Sequence, residues 1–509
     1  MLRYGALIIV LLAVVCLLVW TFLIVPLGPL TFFDDGGTYL MMARALAFGG
    51  EPLPSLADSF RVLPGLYPLV IGAVAANTEG LIAAARLTNV LATMVVWLCC
   101  WWLAFRLLQP GRAVLALLVI LSLPVAWFMS PAVVSEPVFT ALTMLSLAIS
   151  DALVSTRHRS RWLALAAFVL GLCLIGSILT RTIGIALIPA IVAMLWQLQH
   201  RLRLACYLGA GLLVAMVVAV GYGLPWTGSG YGGHVLAKFN DFSLSQAATF
   251  ALSQCKQMLA AFLANLTLIH EPERMFALWL VGGGLFFWVI WSLLRHALAL
   301  NPIAIYVVTS LLIVLIWPFP DHMVRFLYPL MPVTIILALR STAGQMTVFR
   351  TLVASCFVLM AGLGYGRFID RSLWAGAAVL GSSTLYAKDN AEKAQYEAFG
   401  FVNAINDWRE FRYLLPTDAR VVCFKPHYFE ALSGRSCVLP PLNLSADWIT
   451  QQAITHAYLS PLTRPDRPAD LINQRFAGCG DGVWQRHNGR GHVEAALVLI
   501  DGCITPGSH

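Results

Sequence analysis

Asp34 and Asp35 stand side by side in the stretch TFFDDGGTYLMMARALAFGG, directly after an almost unbroken apolar run from Gly5 to Leu30. Two carboxylates at the edge of an apolar segment are costly to desolvate, so they call for a task. A carboxylate so placed can act as general base, taking the proton of an attacking hydroxyl. Neighbouring side chains sit about 100° apart on a helix and on opposite faces of a strand, so only one of the pair aims at a reacting centre. The other suits a divalent cation (Mg, Mn or Zn), for which oxygen ligands are appropriate, or the backbone N–H groups of a Gly36-Gly37 turn. The plainer alternative is structural: Asp35-Gly36-Gly37 caps a helix that starts near Thr38.

Further ionisable groups break otherwise apolar sequence. Glu136 lies in SPAVVSEPVF, Arg181 in ILTRTIGIALIP, and Arg325 in WPFPDHMVRFLYPLMP, where Asp321 and His322 precede it. A charge near the bilayer centre costs about 2.5–3.5 kcal/mol on insertion scales, and such groups face cavities. With Asp34, Asp35 and Arg61 these residues form a mixed ring at one depth of the membrane. Any single arginine is explained by snorkelling to headgroups; the set is harder to explain that way. Arginine binds phosphate in a bidentate fork, which makes Arg181 and Arg325 candidates for a lipid-borne phosphate or pyrophosphate. The segment 225–274 adds His234, Lys256, His270 and Glu271 as residues that can gate a lipid or meet an acceptor.

The elements that hold these residues follow from composition. Of 509 residues 59% are apolar and only 11% charged, against nearly half and about a quarter in soluble domains. Apolar runs recur at roughly 5–27, 87–107, 113–130, 137–154, 163–180, 182–198, 204–224, 275–294, 302–317, 326–340 and 350–366, which predicts eleven helices crossing a bilayer. The first is read as a retained span, since no small-x-small cleavage site precedes the acids. With the N-terminus inside, the cytoplasmic ends carry Arg3, Arg106, Arg112, Arg157, Arg159, Arg161, Arg201, Arg203, Arg295, Arg340 and Arg350. That alternation is the positive-inside pattern. The formal charge of +8 is therefore a topology signal and not a nucleic-acid footprint.

Residues 63–76, LPGLYPLVIGAVAA, are short for a span and are read as an interfacial helix in a first external loop over 28–86. A second external loop covers 225–274. The expected division is a transmembrane module over 1–366 and a soluble α/β domain over 367–509. In the latter, ARVVCFKPHYFEALSGRSCVLP reads as strand, short helix, strand, and HVEAALVLID as a late buried strand. Four of the eleven cysteines, Cys423, Cys437, Cys479 and Cys503, lie there. In an oxidising compartment they permit disulfides in three connectivities, and in a reducing one they are buried thiols. Six others lie in spans as small apolar residues. The run Gly282-Gly283-Gly284 sits inside a span and reads as helix packing rather than a nucleotide loop.

These motifs, in this order, resemble the GT-C superfamily of membrane glycosyltransferases, on the branch of bacterial relatives of protein O-mannosyltransferases and aminoarabinose transferase. The matching residues are Asp34, Asp35, Tyr39, Ala43 and Gly49; then Arg61, Pro64, Tyr67 and Pro68; then SEPVF, LTRTIGIALIP and RFLYPLMP. The segment LLPTDARVVCFKPHYFEALSGRSCVLP is similar to the external α/β domain of these enzymes. The resemblance implies a GT-C fold and a polyprenyl-phosphate sugar donor, used on the periplasmic face of a bacterial inner membrane. It implies Asp34 as catalytic acid of the pair, Asp35 as its acidic neighbour and Glu136 as a second acidic site. Asp35 and Glu136 are then candidate metal ligands, with any divalent cation left open. Arg61, Tyr67, Arg181, His270, His322, Arg325 and Tyr328 are candidate substrate-binding residues. The expected partners are the lipid-linked donor, a lipid or glycan acceptor and the membrane lipids, with no nucleic acid. The second acid of the pair is Asp where many relatives have Glu. Two alternatives of another kind stand beside this one. A flippase for a lipid-linked glycan calls for internal repeats, of which none is visible. An O-antigen ligase-like enzyme calls for an external loop centred on arginine and histidine, without an essential acid.

Overall fold

The computed structural model describes residues 2–24, 34–48, 63–77, 80–155, 161–198, 201–221, 243–268, 276–317, 323–343, 345–375, 404–423, 426–441, 445–459, 472, 474–476, 482–487 and 493–500. The membrane fold class expected from composition is borne out. Among the described residues, eight helices are long and apolar enough to cross a bilayer: Leu2–Leu23, Leu81–Leu107, Glu136–Ser155, Trp162–Thr180, Arg201–Gly221, Phe276–Leu298, Met323–Ser341 and Thr347–Gly366. Three shorter apolar helices, Pro110–Leu121, Thr182–Trp196 and Pro302–Leu315, fall where the remaining predicted spans lie. Proline opens two of these, at Pro110 and Pro302, where its missing N–H is no loss. Asn301 caps the second, accepting from the N–H groups of Ile303 and Ala304.

The chain divides into two compact units. One comprises Met1–Ile24, Phe60–Val70 and Ala85–Trp374; the other Val25–Ser59, Ile71–Ala84 and Ala375–His509. In the first, the segment read as an external loop over 225–274 contains a 24-residue helix, Leu244–Thr267. The reason is a capping box: the Ser243 hydroxyl takes the N–H of Gln246, and the Gln246 side chain takes the N–H of Ser243. The C-terminal half of this helix is buried, from Ala261 to Leu268. Gly282 lies against it, since a Cβ there would meet the Leu263 side chain at 2.2 Å, whereas Gly284 has nothing within 4 Å. The packing reading of the glycine run thus rests on its first member.

The second unit holds a five-stranded sheet of order β2-β1-β3-β5-β4, with β1 Arg420–Val422, β2 Ser436–Val438, β3 His456–Leu459, β4 Gly482–His487 and β5 Val493–Leu499. Strands β2, β1 and β3 run parallel, and β5 lies antiparallel to both β3 and β4. The helix Pro426–Ser433 makes the crossover from β1 to β2, matching the strand, helix, strand reading. A disulfide joins Cys423 to Cys437 across these two strands. Cys479 and Cys503 lie outside the described residues.

The acid pair belongs to this unit. Its helix, Asp34–Phe48, starts four residues before the expected position, so the two acids form its first turn rather than a cap ahead of Thr38. Carboxylates there favour the helix dipole. Gly36-Gly37 is consequently helical and not a turn. Its function is close approach: a Cβ on Gly37 would meet Tyr428 N and Cδ2 at 2.9 Å. Thr38 to Ala43 are buried behind it, and Arg44 donates to the Glu430 carbonyl at 3.3 Å. The helix Leu66–Val74 has nine residues, about 14 Å, which is too short to cross a bilayer.

Candidate functional site

Glu136 is the first residue of the helix Glu136–Ser155 and is fully buried. Its Oε1 pairs with Arg181 Nη1 at 2.6 Å and accepts from Arg325 Nε. Three separated segments of sequence deliver these groups, and each has a local reason to do so. Before Glu136 the chain turns through SPAVVS. Asn89 holds that turn, donating from Nδ2 to the carbonyls of Ala132 at 2.6 Å and Val134 at 3.2 Å. Arg181 occupies the break between two apolar helices, in extended backbone with φ −153° and ψ 134°. The next segment, Thr182–Ala186, folds back so closely that a Cβ on Gly184 would lie 2.7 Å from Ser177 C. Arg325 lies in the short helix Met323–Leu327, which Asn265 anchors through a bond to the Val324 carbonyl at 3.1 Å.

Two guanidiniums converge on one carboxylate oxygen where Glu136 and Arg325 are almost sealed from solvent. Arg181 also stands over the Phe326 ring, 5.0 Å from its centroid. Glu136 Oε2 is buried and makes no hydrogen bond among the described residues. A carboxylate oxygen in that condition is an acceptor awaiting a donor. Tyr328 is buried beside Thr93 and Glu136. Pro329 helps hold it in the tight turn Tyr328–Leu330.

The predicted residues thus separate into three groups. Glu136, Arg181, Arg325 and Tyr328 come together. Tyr67 is fully buried in the first turn of Leu66–Val74, and Asp35 is half-buried in the first turn of its own helix. Arg61, His270 and His322, with His234 and Glu271, lie outside the described residues, while Lys256 is exposed on the helix Leu244–Thr267. Sequence reading missed Arg86, Asn89 and Asn265. Arg86 has no exposed surface and donates to the Thr21 carbonyl at 3.3 Å. The signal was present, since Arg86 and Asn89 are three apart in an apolar run and so share a helix face.

Asp35 and Glu136 are the candidate metal ligands. No group of three or more metal-ligating side chains occurs among the described residues. The chemistry at Glu136 also argues against the role. Two guanidiniums already bind its Oε1, and a divalent cation would have to stand against both. The same pairing ties Glu136 Oε1 to both arginines.

No protein-family model matches the chain, and no curated protein matches it in sequence. Solved structures do match in fold. ArnT from Cupriavidus metallidurans in the apo state is 14% identical, with a TM-score of 0.53 over 99% of this chain and 100% of that one. The same protein bound to undecaprenyl phosphate gives 14% identity and a TM-score of 0.52, over 98% of this chain and 99% of that one. An Archaeoglobus fulgidus oligosaccharyltransferase tethered to an acceptor peptide gives 10% identity and a TM-score of 0.50, over 98% of this chain and 76% of that one. Identities this low speak to architecture alone, and the likeness covers nearly the whole chain. The chain therefore has the fold of ArnT from Cupriavidus metallidurans.

Proposed function

We propose that this chain is a membrane glycosyltransferase that moves a sugar from a polyprenyl-phosphate carrier to an acceptor hydroxyl. The observation that supports it most directly is the convergence of two guanidiniums, Arg181 and Arg325, on the buried Glu136. It occurs in a fold shared with a protein solved bound to undecaprenyl phosphate. A lipid phosphate is an anion that bidentate guanidinium contacts suit.

The step proposed is a single displacement. Asp34 takes the acceptor's hydroxyl proton as the oxygen attacks the anomeric carbon. The bond from that carbon to the phosphate oxygen breaks, and its electron pair leaves with the polyprenyl phosphate. Arg181 and Arg325 stabilise that charge as it develops, a contribution preorganised donors make most strongly in a site shielded from water. One displacement inverts the anomeric configuration. Glu136 fixes both guanidiniums in place, and its Oε2 is the acceptor for a hydroxyl of the bound sugar. The reaction is proposed to run on the periplasmic face of a bacterial inner membrane, with the 367–509 segment on the same side, in modifying an envelope glycan or glycolipid. A nucleotide sugar is absent there, so the donor arrives by lipid.

Two experiments test the reading. Asp34→Asn in vesicles supplied with a polyprenyl-phosphate sugar is expected to lose transfer by about a hundred- to ten-thousandfold while still binding donor; wild-type turnover would remove Asp34 as base. For sidedness, Asp470→Cys is expected to react with a membrane-impermeant maleimide added outside spheroplasts. Protection of that thiol would reverse the proposed orientation.

A further inference from the structure

At the other end of the bundle from Glu136 a cavity of about 300 Å³ opens between helix termini. Its place follows from the chain. Leu107, Asp151, His296 and Arg340 lie in the closing turns of Leu81–Leu107, Glu136–Ser155, Phe276–Leu298 and Met323–Ser341, and all four line it. Glu136 and Asp151 are fifteen residues apart on one helix, so about 22 Å separates the two levels. This is a second polar site in the membrane unit, remote from the proposed chemistry.

Its side chains are arranged for a ligand with two opposite charges. Arg340 lines the cavity, and its guanidinium makes no hydrogen bond or ion pair among the described residues. Asp151 lines the same space, and only its Oδ2 is engaged, by Arg106 Nε at 3.3 Å. His296 is oriented by a proton chain. Ser292 donates to the Leu337 carbonyl at 3.0 Å, so Ser341 must donate to Ser292, and the Ser341 oxygen then accepts from His296 Nε2 at 3.0 Å. Nδ1 is left with hydrogen-bonding capacity to spare. The wall opposite is held in a demanding backbone conformation. Leu300 has φ +56°, rare for a branched residue, and Gln197 clamps its carbonyl at 2.5 Å.

The surround is apolar. Near the cavity Val154, Leu298, Leu300 and Trp196 are 38%, 86%, 49% and 71% exposed. Exposed leucine and tryptophan at helix ends suit acyl chains and the headgroup boundary. We propose that this cavity binds the headgroup of a phospholipid carrying a primary ammonium, phosphatidylethanolamine. The phosphodiester sits on Arg340, and the ammonium donates to the carboxylate of Asp151 and to the lone pair of His296 Nδ1. Asp151 disfavours a purely anionic lipid. The apolar rim favours a lipid over a soluble zwitterion of the same headgroup.

Native mass spectrometry of the full chain in detergent tests this with phosphatidylethanolamine, phosphatidylglycerol and phosphatidylcholine as probes. Wild-type protein is expected to retain phosphatidylethanolamine about tenfold better than either of the others, the difference one charged hydrogen bond makes. Arg340→Gln is expected to lower retention of both phosphatidylethanolamine and phosphatidylglycerol, and it breaks no side-chain hydrogen bond or ion pair among the described residues. Asp151→Asn is expected to lower phosphatidylethanolamine alone. Equal retention of the three lipids by wild type, or unchanged phosphatidylethanolamine retention in both variants, would overturn the proposal. So would displacement of the lipid by an equal concentration of soluble phosphoethanolamine. Transferase turnover plays no part in the readout, so failure here leaves the proposed reaction untouched, and the converse holds.

Discussion

Glu136 and Asp407, a buried carboxylate from each compact unit, are satisfied in different ways. Glu136 in the membrane unit faces two guanidiniums, Arg181 and Arg325, and keeps Oε2 without a hydrogen bond among the described residues. Asp407 in the second unit faces one guanidinium, Arg486 at 3.0 Å, and one hydroxyl, Tyr458 at 2.6 Å, with both oxygens used. Asp407 is closed in by aromatic packing of Trp408 and Phe411 around Tyr458. The membrane cluster brings two guanidiniums to one carboxylate oxygen and keeps the other as an unused acceptor among the described residues. A carboxylate with both oxygens engaged holds a fold together, whereas a buried one with an oxygen to spare is open to a donor from a ligand.

The sharpest way to break that contrast is to remove one of the two guanidiniums. Arg325→Ala or Arg181→Ala is expected to reduce transfer by about a hundred- to a thousandfold and to weaken binding of polyprenyl phosphate. Arg350→Ala, at the other end of the bundle, is expected to leave both unchanged; equal losses from all three would remove the phosphate assignment. Glu136→Gln comes next. It leaves two guanidiniums without their anchor and should lose about ten- to a hundredfold in turnover, with donor KM changing less than kcat if the arginines still attract phosphate but no longer hold its geometry.

Changes in the second unit should act on stability instead. Cys423→Ser opens a link over a sequence separation of 14 and is expected to destabilise that unit by about 3 kcal/mol, with turnover of the folded protein preserved. The smallest effect is a pH dependence. Burial pushes the Asp407 carboxyl up to about 6, against the pull of the Tyr458 hydrogen bond and the Arg486 charge. A carboxyl raised above its ordinary value stabilises the folded state when protonated, and that contribution is lost as pH rises through about 6. Denaturant midpoints of the second unit should therefore fall between pH 4 and 7, and Asp407→Asn should flatten the slope in that window. A midpoint that rises with pH in the wild type would mean that the Arg486 pair outweighs burial, and would contradict the raised Asp407 carboxyl.

Much of the architecture was legible because the bilayer imposes length and composition on any helix that crosses it. The eight long apolar helices and three shorter ones fall on the predicted runs, and β1, the crossover helix, β2 and β5 fall where alternation and β-branched residues placed them. The misses have local causes. Residues 225–274 read as a loop on their glycine-rich opening, but the Ser243–Gln246 capping box and the apolar face behind it make a helix of Leu244–Thr267. Gly36-Gly37 read as a turn because glycine is the common turn residue. Here it lies in a helix, and the contact with Tyr428, some 390 positions away, accounts for Gly37. Arg86 escaped notice because the span was drawn to begin one residue after it.

The sequence by itself determined that this chain lives in a membrane, where its helices lie, and that a few charges break the apolar pattern, because hydropathy and charge are properties of single residues and their spacing. Only the tertiary structure decided that Glu136, Arg181 and Arg325, spread over 189 positions, share one carboxylate oxygen, and that Arg340, His296 and Asp151 line one cavity. Charge balance is a property of distances below about 4 Å, and distances between remote segments are set by packing, which no spacing in the chain records.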